Sequence, residues 1–112
     1  MPGHIMIASQ RKITSEESKG HRLALGAWLR ELREEQGLSQ RDLSEMLGLE
    51  YYTFISQLEN GRGKIPSNRY RDWAQALGQD SKSFVRKLLM HYDPVSYEIL
   101  FSDNMDDMIE TC

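Results

Sequence analysis

The amide of Gln57, the hydroxyls of Thr53 and Ser56 and the phenol of Tyr52 fall within six consecutive positions. At helical spacing they lie away from Ile55 and Leu58, whose i, i+3 recurrence marks a buried side. A glutamine amide can bond adenine in bidentate fashion, and the Thr53 methyl or the Tyr52 ring can pack on a thymine methyl. A protruding helix of about this length fits the major groove of double-stranded DNA. Catalytic chemistry has no comparable support: the chain has no phosphate-cradling glycine loop and no carboxylate and histidine constellation. The histidines His4, His21 and His91 are far apart and lack short pairing, so no metal site and no cofactor are expected.

Two short helices joined by a tight turn must hold this face. Ser39 can cap the first, because its hydroxyl accepts from an orphan backbone N–H while Asp42, three residues on, answers the cap's own N–H. Leu43, Met46 and Leu47 then recur at i, i+3 and i+4, and Gly48 supplies the left-handed turn. The second helix begins between Glu50 and Tyr52 and stops at Asn60-Gly61, with Glu50 expected to cap it in preference to accepting from a cytosine amine. For the paired tyrosines two readings stand side by side: both near DNA, or Tyr51 packed into the turn as a hydrophobic staple with only Tyr52 exposed.

Helices on either side complete an all-α fold. The stripe Leu25, Trp28, Leu29 and Leu32 predicts a first helix from about His21 to Gln36, closed by Gly37. A fourth helix is expected after Pro66 with Ser67 as cap, carrying Tyr70, Trp73, Ala74 and Leu77 inward. A fifth follows Asp80, with Phe84, Val85, Leu88, Leu89 and Tyr92 on a wide apolar face, and ends at Asp93-Pro94 because the residue before proline avoids helical geometry. A short sixth covers about Val95 to Phe101. Trp28 and Trp73 read as core residues.

The blocks Leu29-Arg-Glu-Leu-Arg33, Gly37-Leu-Ser-Gln40, Leu43, Leu47-Gly48, Ile55-Ser-Gln-Leu-Glu-Asn-Gly61 and Ala74-Gln-Ala-Leu-Gly78 resemble the phage-repressor (Cro/CI, or XRE) helix-turn-helix family. The resemblance covers roughly residues 22 to 80 and implies a five-helix lambda-repressor-like DNA-binding domain with a short extra C-terminal helix. Two departures stand out. The stretch from Gly48 to Leu58 is one residue longer than the usual pattern, and Ser44 replaces the usual alanine, its hydroxyl able to bond back to a carbonyl one turn earlier. Alignment on Leu58-Glu59-Asn60-Gly61 implies base reading by Tyr52, Thr53, Ser56 and Gln57. It implies phosphate contacts by Gln40, near a helix N-terminus where anions are favoured, and by Asn60. Arg33 and Glu59 match the family's ion pair between helices 1 and 3, in which the arginine can also touch a phosphate. The adjacency of Glu59 to Leu58 favours a buried pair over a solvated one worth under about 1 kcal/mol.

Charge distribution fits the same reading. The net charge is −3, but Ser102 to Cys112 holds Asp103, Asp106, Asp107 and Glu110 without a base, which leaves +1 on the remainder. Arg62, Lys64, Arg69 and Arg71 cluster after the second motif helix with no acid among them, and Arg62, Lys64 and Arg69 join the expected phosphate set. The chain therefore divides into a flexible N-terminal arm (1–17), with Arg11 and Lys12 available to the DNA backbone, the helix-turn-helix domain (18–80), a C-terminal helical segment (81–101) and an acidic disordered tail (102–112). With 39% apolar residues in 112, one core is feasible and two are not. No run approaches a membrane span of roughly 18 residues, and the single Cys112 allows no internal disulfide, so a cytoplasmic bacterial or phage protein, associated with the nucleoid, is expected.

One such domain reads few base pairs, which predicts a homodimer on a near-palindromic operator with half-sites about 34 Å apart. The expected dimer interface is Phe84, Leu88, Leu89, Tyr92, Tyr97, Leu100 and Phe101, because the C-terminal segment has more apolar residues than one stripe needs. Function on this reading is transcriptional regulation, most often repression by occluding a promoter. The alternative is an antitoxin or adaptor of the same fold that engages a partner protein through its C-terminal segment.

Overall fold

Ser39 and Asp42 form a complete capping box: the Asp42 N–H donates to Ser39 Oγ at 3.0 Å and the Ser39 N–H to Asp42 Oδ2 at 2.9 Å. This reciprocal pair starts the second of six α-helices in a computed structural model that describes residues 14–102. The helices are α1 (Ser15–Glu35), α2 (Gln40–Met46), α3 (Thr53–Glu59), α4 (Tyr70–Ala76), α5 (Ser81–Tyr92) and α6 (Pro94–Phe101), with a 3₁₀ turn at Ser67–Arg69. Among the described residues there is no strand, and no helix is long and apolar enough to cross a membrane. The all-α expectation of five helices and a short sixth is met.

Most boundaries follow their caps. Gly48 turns the chain between α2 and α3 at φ 66°, a region that a side chain strains. Asp80 accepts from the Ser83 N–H and caps α5; Asp93 ends α5 and caps α6, with Pro94 in the first turn, where its missing N–H costs nothing. Two starts outside the α2–α3 motif differ from expectation. The first helix begins at Ser15, six residues early, because Thr14 accepts from the Glu17 N–H and Glu16 and Glu17 complement the dipole of the first turn. Residues 15–17 are therefore helical, and residues 1–13 of the expected arm and 103–112 of the acidic tail lie outside the described residues. Ser67 caps nothing: it sits inside the 3₁₀ turn, and α4 starts without a side-chain cap.

The core joins Leu25, Leu29 and Leu32 of α1 to Leu43, Leu47, Ile55, Leu58, Ile65, Trp73, Ala74, Leu77, Phe84 and Leu88. Trp28 is half-buried, stacked on Phe84 with ring centroids 5.5 Å apart. Met46 is exposed, because α2 ends there and its last turn faces out. Ser44 is buried and its Oγ donates forward to the Leu49 carbonyl at 3.4 Å rather than back by one turn. α1 packs against α3 and α5, and α5 against α4 and α6.

The approach of α1 to α3 depends on Gly26. A Cβ there would lie 2.5 Å from the Leu58 carbonyl oxygen and 2.6 Å from that of Glu59, both rigid backbone atoms. Gly26→Ala is expected to destabilise the protein by about 1–3 kcal/mol, although alanine alone would favour a helix interior by roughly 1 kcal/mol. Urea unfolding measures it, and a more stable variant would mean that the two helices part freely.

Candidate nucleic-acid interface

α3 is a seven-residue helix whose cap, Tyr52, has helical backbone angles and no side-chain capping bond. Glu50 therefore does not cap it. A helix this short is marginal alone, and its buried residues, Ile55 and Leu58, account for only one side. The other constraint comes from α1. Arg33 Nε donates to Glu59 Oε2 at 2.6 Å and Nη2 to Glu59 Oε1 at 3.0 Å, a bidentate pair whose side chains are 9% and 5% exposed. Arg33 Nη1 also donates to the Leu38 carbonyl at 2.7 Å, which ties in the turn before α2, and Gln40 Nε2 donates to Glu59 Oε1 at 3.1 Å. The Glu59 bonds raise the guanidinium pKa above its ordinary value, against the cost of burial. The buried form of the pair is the one observed.

This inward network revises the phosphate set. Arg33 is buried with its donors turned to internal acceptors, so a role in touching phosphate does not fit its position. Gln40 is drawn toward Glu59. Arg69 Nε bonds Asp72 at 2.9 Å and its Nη2 donates to the Leu47 carbonyl, so it caps the end of α2 rather than standing free for a phosphate. Asn60 remains exposed but its amide donates to the Ser56 carbonyl at 2.9 Å. Arg62 and Lys64 are exposed in the loop after α3, with Lys64 Nζ 5.3 Å from the centre of the Tyr92 ring.

The expected reading face has Thr53 and Gln57 exposed, Tyr52 exposed beside them and Ser56 half-buried. Tyr51 is 65% exposed, more than Tyr52, so it is not a staple in the turn. A cation that sequence reasoning passed over adjoins this face: the Arg41 guanidinium lies over the Tyr52 ring at 5.1 Å. Its position beside Gln40, in the first turn of α2, was the available signal.

The expected dimer residues separate into two groups. Phe84 and Leu88 belong to the subunit's own core, because α5 must cover both α1 and α4. Tyr92 is half-buried, its hydroxyl accepting from the Ile65 N–H at 3.0 Å, and burial pushes its phenol pKa up. Tyr97 and Phe101 are half-buried with ring centroids 5.3 Å apart, and the Arg86 guanidinium of α5 lies 4.5 Å over Phe101. Leu89 is half-buried, whereas Leu100 is exposed, as are Val95 and Ile99, two further apolar residues of the same segment.

A family described as a helix-turn-helix domain matches residues 26–94, from the middle of α1 to the start of α6. The chain belongs to that family. The resemblance to XRE-type DNA-binding regulators is thereby shown, with α2, the turn at Gly48 and α3 all inside the match. Among solved structures, the chain is similar to the clp gene regulator ClgR from C. glutamicum at 31% sequence identity. That likeness covers 61% of this chain and 87% of that one, with a TM-score of 0.51. No curated protein matches.

Removing either partner of the buried pair leaves a charge without its counterion. Glu59→Ala and Arg33→Ala should each cost about 3–5 kcal/mol in urea unfolding, and the double substitution Arg33→Met with Glu59→Leu should recover much of that loss. Single losses below about 1 kcal/mol would mean that the pair behaves as a solvated one.

Proposed function

We propose that this chain is a sequence-specific double-stranded DNA-binding transcriptional regulator, acting in the cytoplasm as a repressor that binds a near-palindromic operator as a homodimer. The observation that carries the reading is the exposed face of Tyr52, Thr53 and Gln57, bordered by Arg41, Arg62 and Lys64 and anchored from behind by the buried Arg33–Glu59 pair. Its chemistry divides by role. Cations on the rim attract phosphates and set the register, while the amide and methyl groups of α3 choose among base pairs. Gln57 bonds adenine, the Thr53 methyl and Tyr52 ring meet thymine methyls, and Ser56 contributes from the edge of the face. Asn60 ends α3 near the backbone, and Gln40 reaches phosphate by exchanging its bond to Glu59.

Repression follows from occupancy: a protein seated in the major groove over a promoter excludes other proteins. The likeness to ClgR, itself a regulator of clp genes, is in keeping with this.

One α3 reads too short a stretch for useful specificity, and two copies related by symmetry double it. The surface that serves the pairing is the outer side of α6. Tyr97 and Phe101 lie at i, i+4 on the side toward Arg86 of α5, whereas Val95 and Ile99, also at i, i+4, and the adjacent Leu100 are exposed. Ile99 and Leu100 are 70% and 61% exposed, more than an apolar pair on an isolated helix end needs. Tyr97 and Phe101 lie behind this row, and the half-sites lie about 34 Å apart.

Selection of bound DNA from a random pool yields the operator and its symmetry. On that site Gln57→Ala should cost roughly 1–3 kcal/mol and relax preference at one base pair, whereas Arg62→Ala should weaken all sequences alike and lower the salt slope by about 1. Equal behaviour of the two variants would refute the division of roles. Ile99→Glu with Leu100→Glu should halve the mass seen by light scattering, and an unchanged dimer would remove α6 from the interface.

A further inference from the structure

Between the start of α4 and the outer side of α5, with the last residue of α6 in its wall, lies an open groove of about 670 Å³. Val85 and Leu89, one turn apart on α5, and Phe101 form its apolar part; all three are half-buried and none is a core residue. Arg71, Lys82 and Arg86 line the same groove and are exposed. None of these cations is within ion-pair distance of a carboxylate among the described residues, and no acid is among the groove's described lining. The Arg86 guanidinium lies 4.5 Å over the Phe101 ring, and a guanidinium stacked on its face keeps its N–H edge free for an anion.

An apolar strip bordered by three uncompensated cations is complementary to a segment that mixes acids with apolar side chains. The chain carries one. Residues 103–112, which lie outside the described residues, read Asp103-Asn-Met-Asp-Asp-Met-Ile-Glu-Thr-Cys112, four acids among Met105, Met108 and Ile109 with no base. They begin two positions after Phe101, itself part of the groove. Ten extended residues span up to about 33–36 Å, roughly twice the 18 Å or so of the twelve-residue α5. A segment tethered so closely meets the groove at an effective concentration on the order of millimolar, an advantage that an acidic segment of a separate protein lacks.

We propose that the acidic segment 103–112 docks into this groove of its own chain, its carboxylates against Arg71, Lys82 and Arg86 and its methionine and isoleucine side chains on Val85, Leu89 and Phe101. Unbranched methionine adapts to an irregular apolar strip of this kind. Docked so, the segment neutralises three cations and closes the groove to acidic segments of other proteins. The inference depends on α4, α5 and the end of α6, and not on the reading of α3.

Cys112 is the chain's single cysteine, so a nitroxide attached there marks the end of the segment in the full-length protein without any substitution. Methyl spectra at low salt should show paramagnetic broadening at Val85 and Leu89. Neutralising the segment with Asp103→Asn, Asp106→Asn, Asp107→Asn and Glu110→Gln together should remove most of that broadening, as should raising the salt, which screens exposed pairs. No broadening at Val85 and Leu89 in the native protein would overturn the proposal, and equal broadening in the neutralised variant would do so too, since an undocked segment sweeps past α5 whatever its charge. In a mixture of nitroxide-bearing chains with isotope-labelled chains that carry no nitroxide, broadening of the latter would assign the segment to the groove of a second copy and overturn docking within one chain.

Discussion

The bidentate bond between Arg33 and Glu59 is the constraint on which the exposed surface of α3 depends. A seven-residue helix without a side-chain cap has neither the length nor the terminal bonds to hold its own direction. Ile55 and Leu58 hold it to the core, but apolar contacts are non-directional and would tolerate rotation about the helix axis. A planar guanidinium facing a carboxylate tolerates far less. The same arginine reaches the Leu38 carbonyl, so one side chain fixes α1, the turn before α2 and the end of α3 together. Gly26 makes the arrangement geometrically available, since α1 can lie against the carbonyls of Leu58 and Glu59 only where no side chain intervenes.

Polar groups that resemble one another in sequence are thereby divided between two uses. Arg33, Gln40 and Arg69 are engaged with carboxylates or carbonyls of the protein itself, whereas Arg41, Arg62 and Lys64 are exposed around α3. The division has a simple cause. Helix ends leave carbonyls without partners, and a long cation that starts nearby satisfies them at less cost than a water excluded from a packed interface. Arg69 does this for Leu47, the last residue of the turn that precedes Gly48.

Much of the fold was legible because its signals are local. The Ser39–Asp42 box, the Asp80 and Asp93 caps and the glycine at 48 each involve residues within four positions, and each appears where periodicity places it. The start of α1 was legible too, in the Thr14-x-x-Glu17 pattern, but the apolar stripe is the stronger signal and begins later. Partnership across the fold was much harder to read. The apolar face of α5 is wide, and sequence alone does not divide it between the core, which takes Phe84 and Leu88, and the side toward α6. Glycine at 26 reads as a tolerated helix residue until its neighbour is known, and the meeting of His21 with His91 has no sequence signal at all, since it arises from the crossing of α1 and α5. Of the site itself, the outward positions of Thr53 and Gln57 followed from the buried pair Ile55 and Leu58, while the fate of each cation depended on which carbonyl happened to lie within reach.

Tyr92 links two regions that the chain keeps apart. Its hydroxyl receives the Ile65 N–H from the loop that carries Arg62 and Lys64, and its ring lies beneath the Lys64 ammonium, yet its own backbone is the final residue of α5, immediately before the cap Asp93. One phenol therefore ties the loop with two exposed cations to the residue at which the chain leaves α5, nearly thirty positions later.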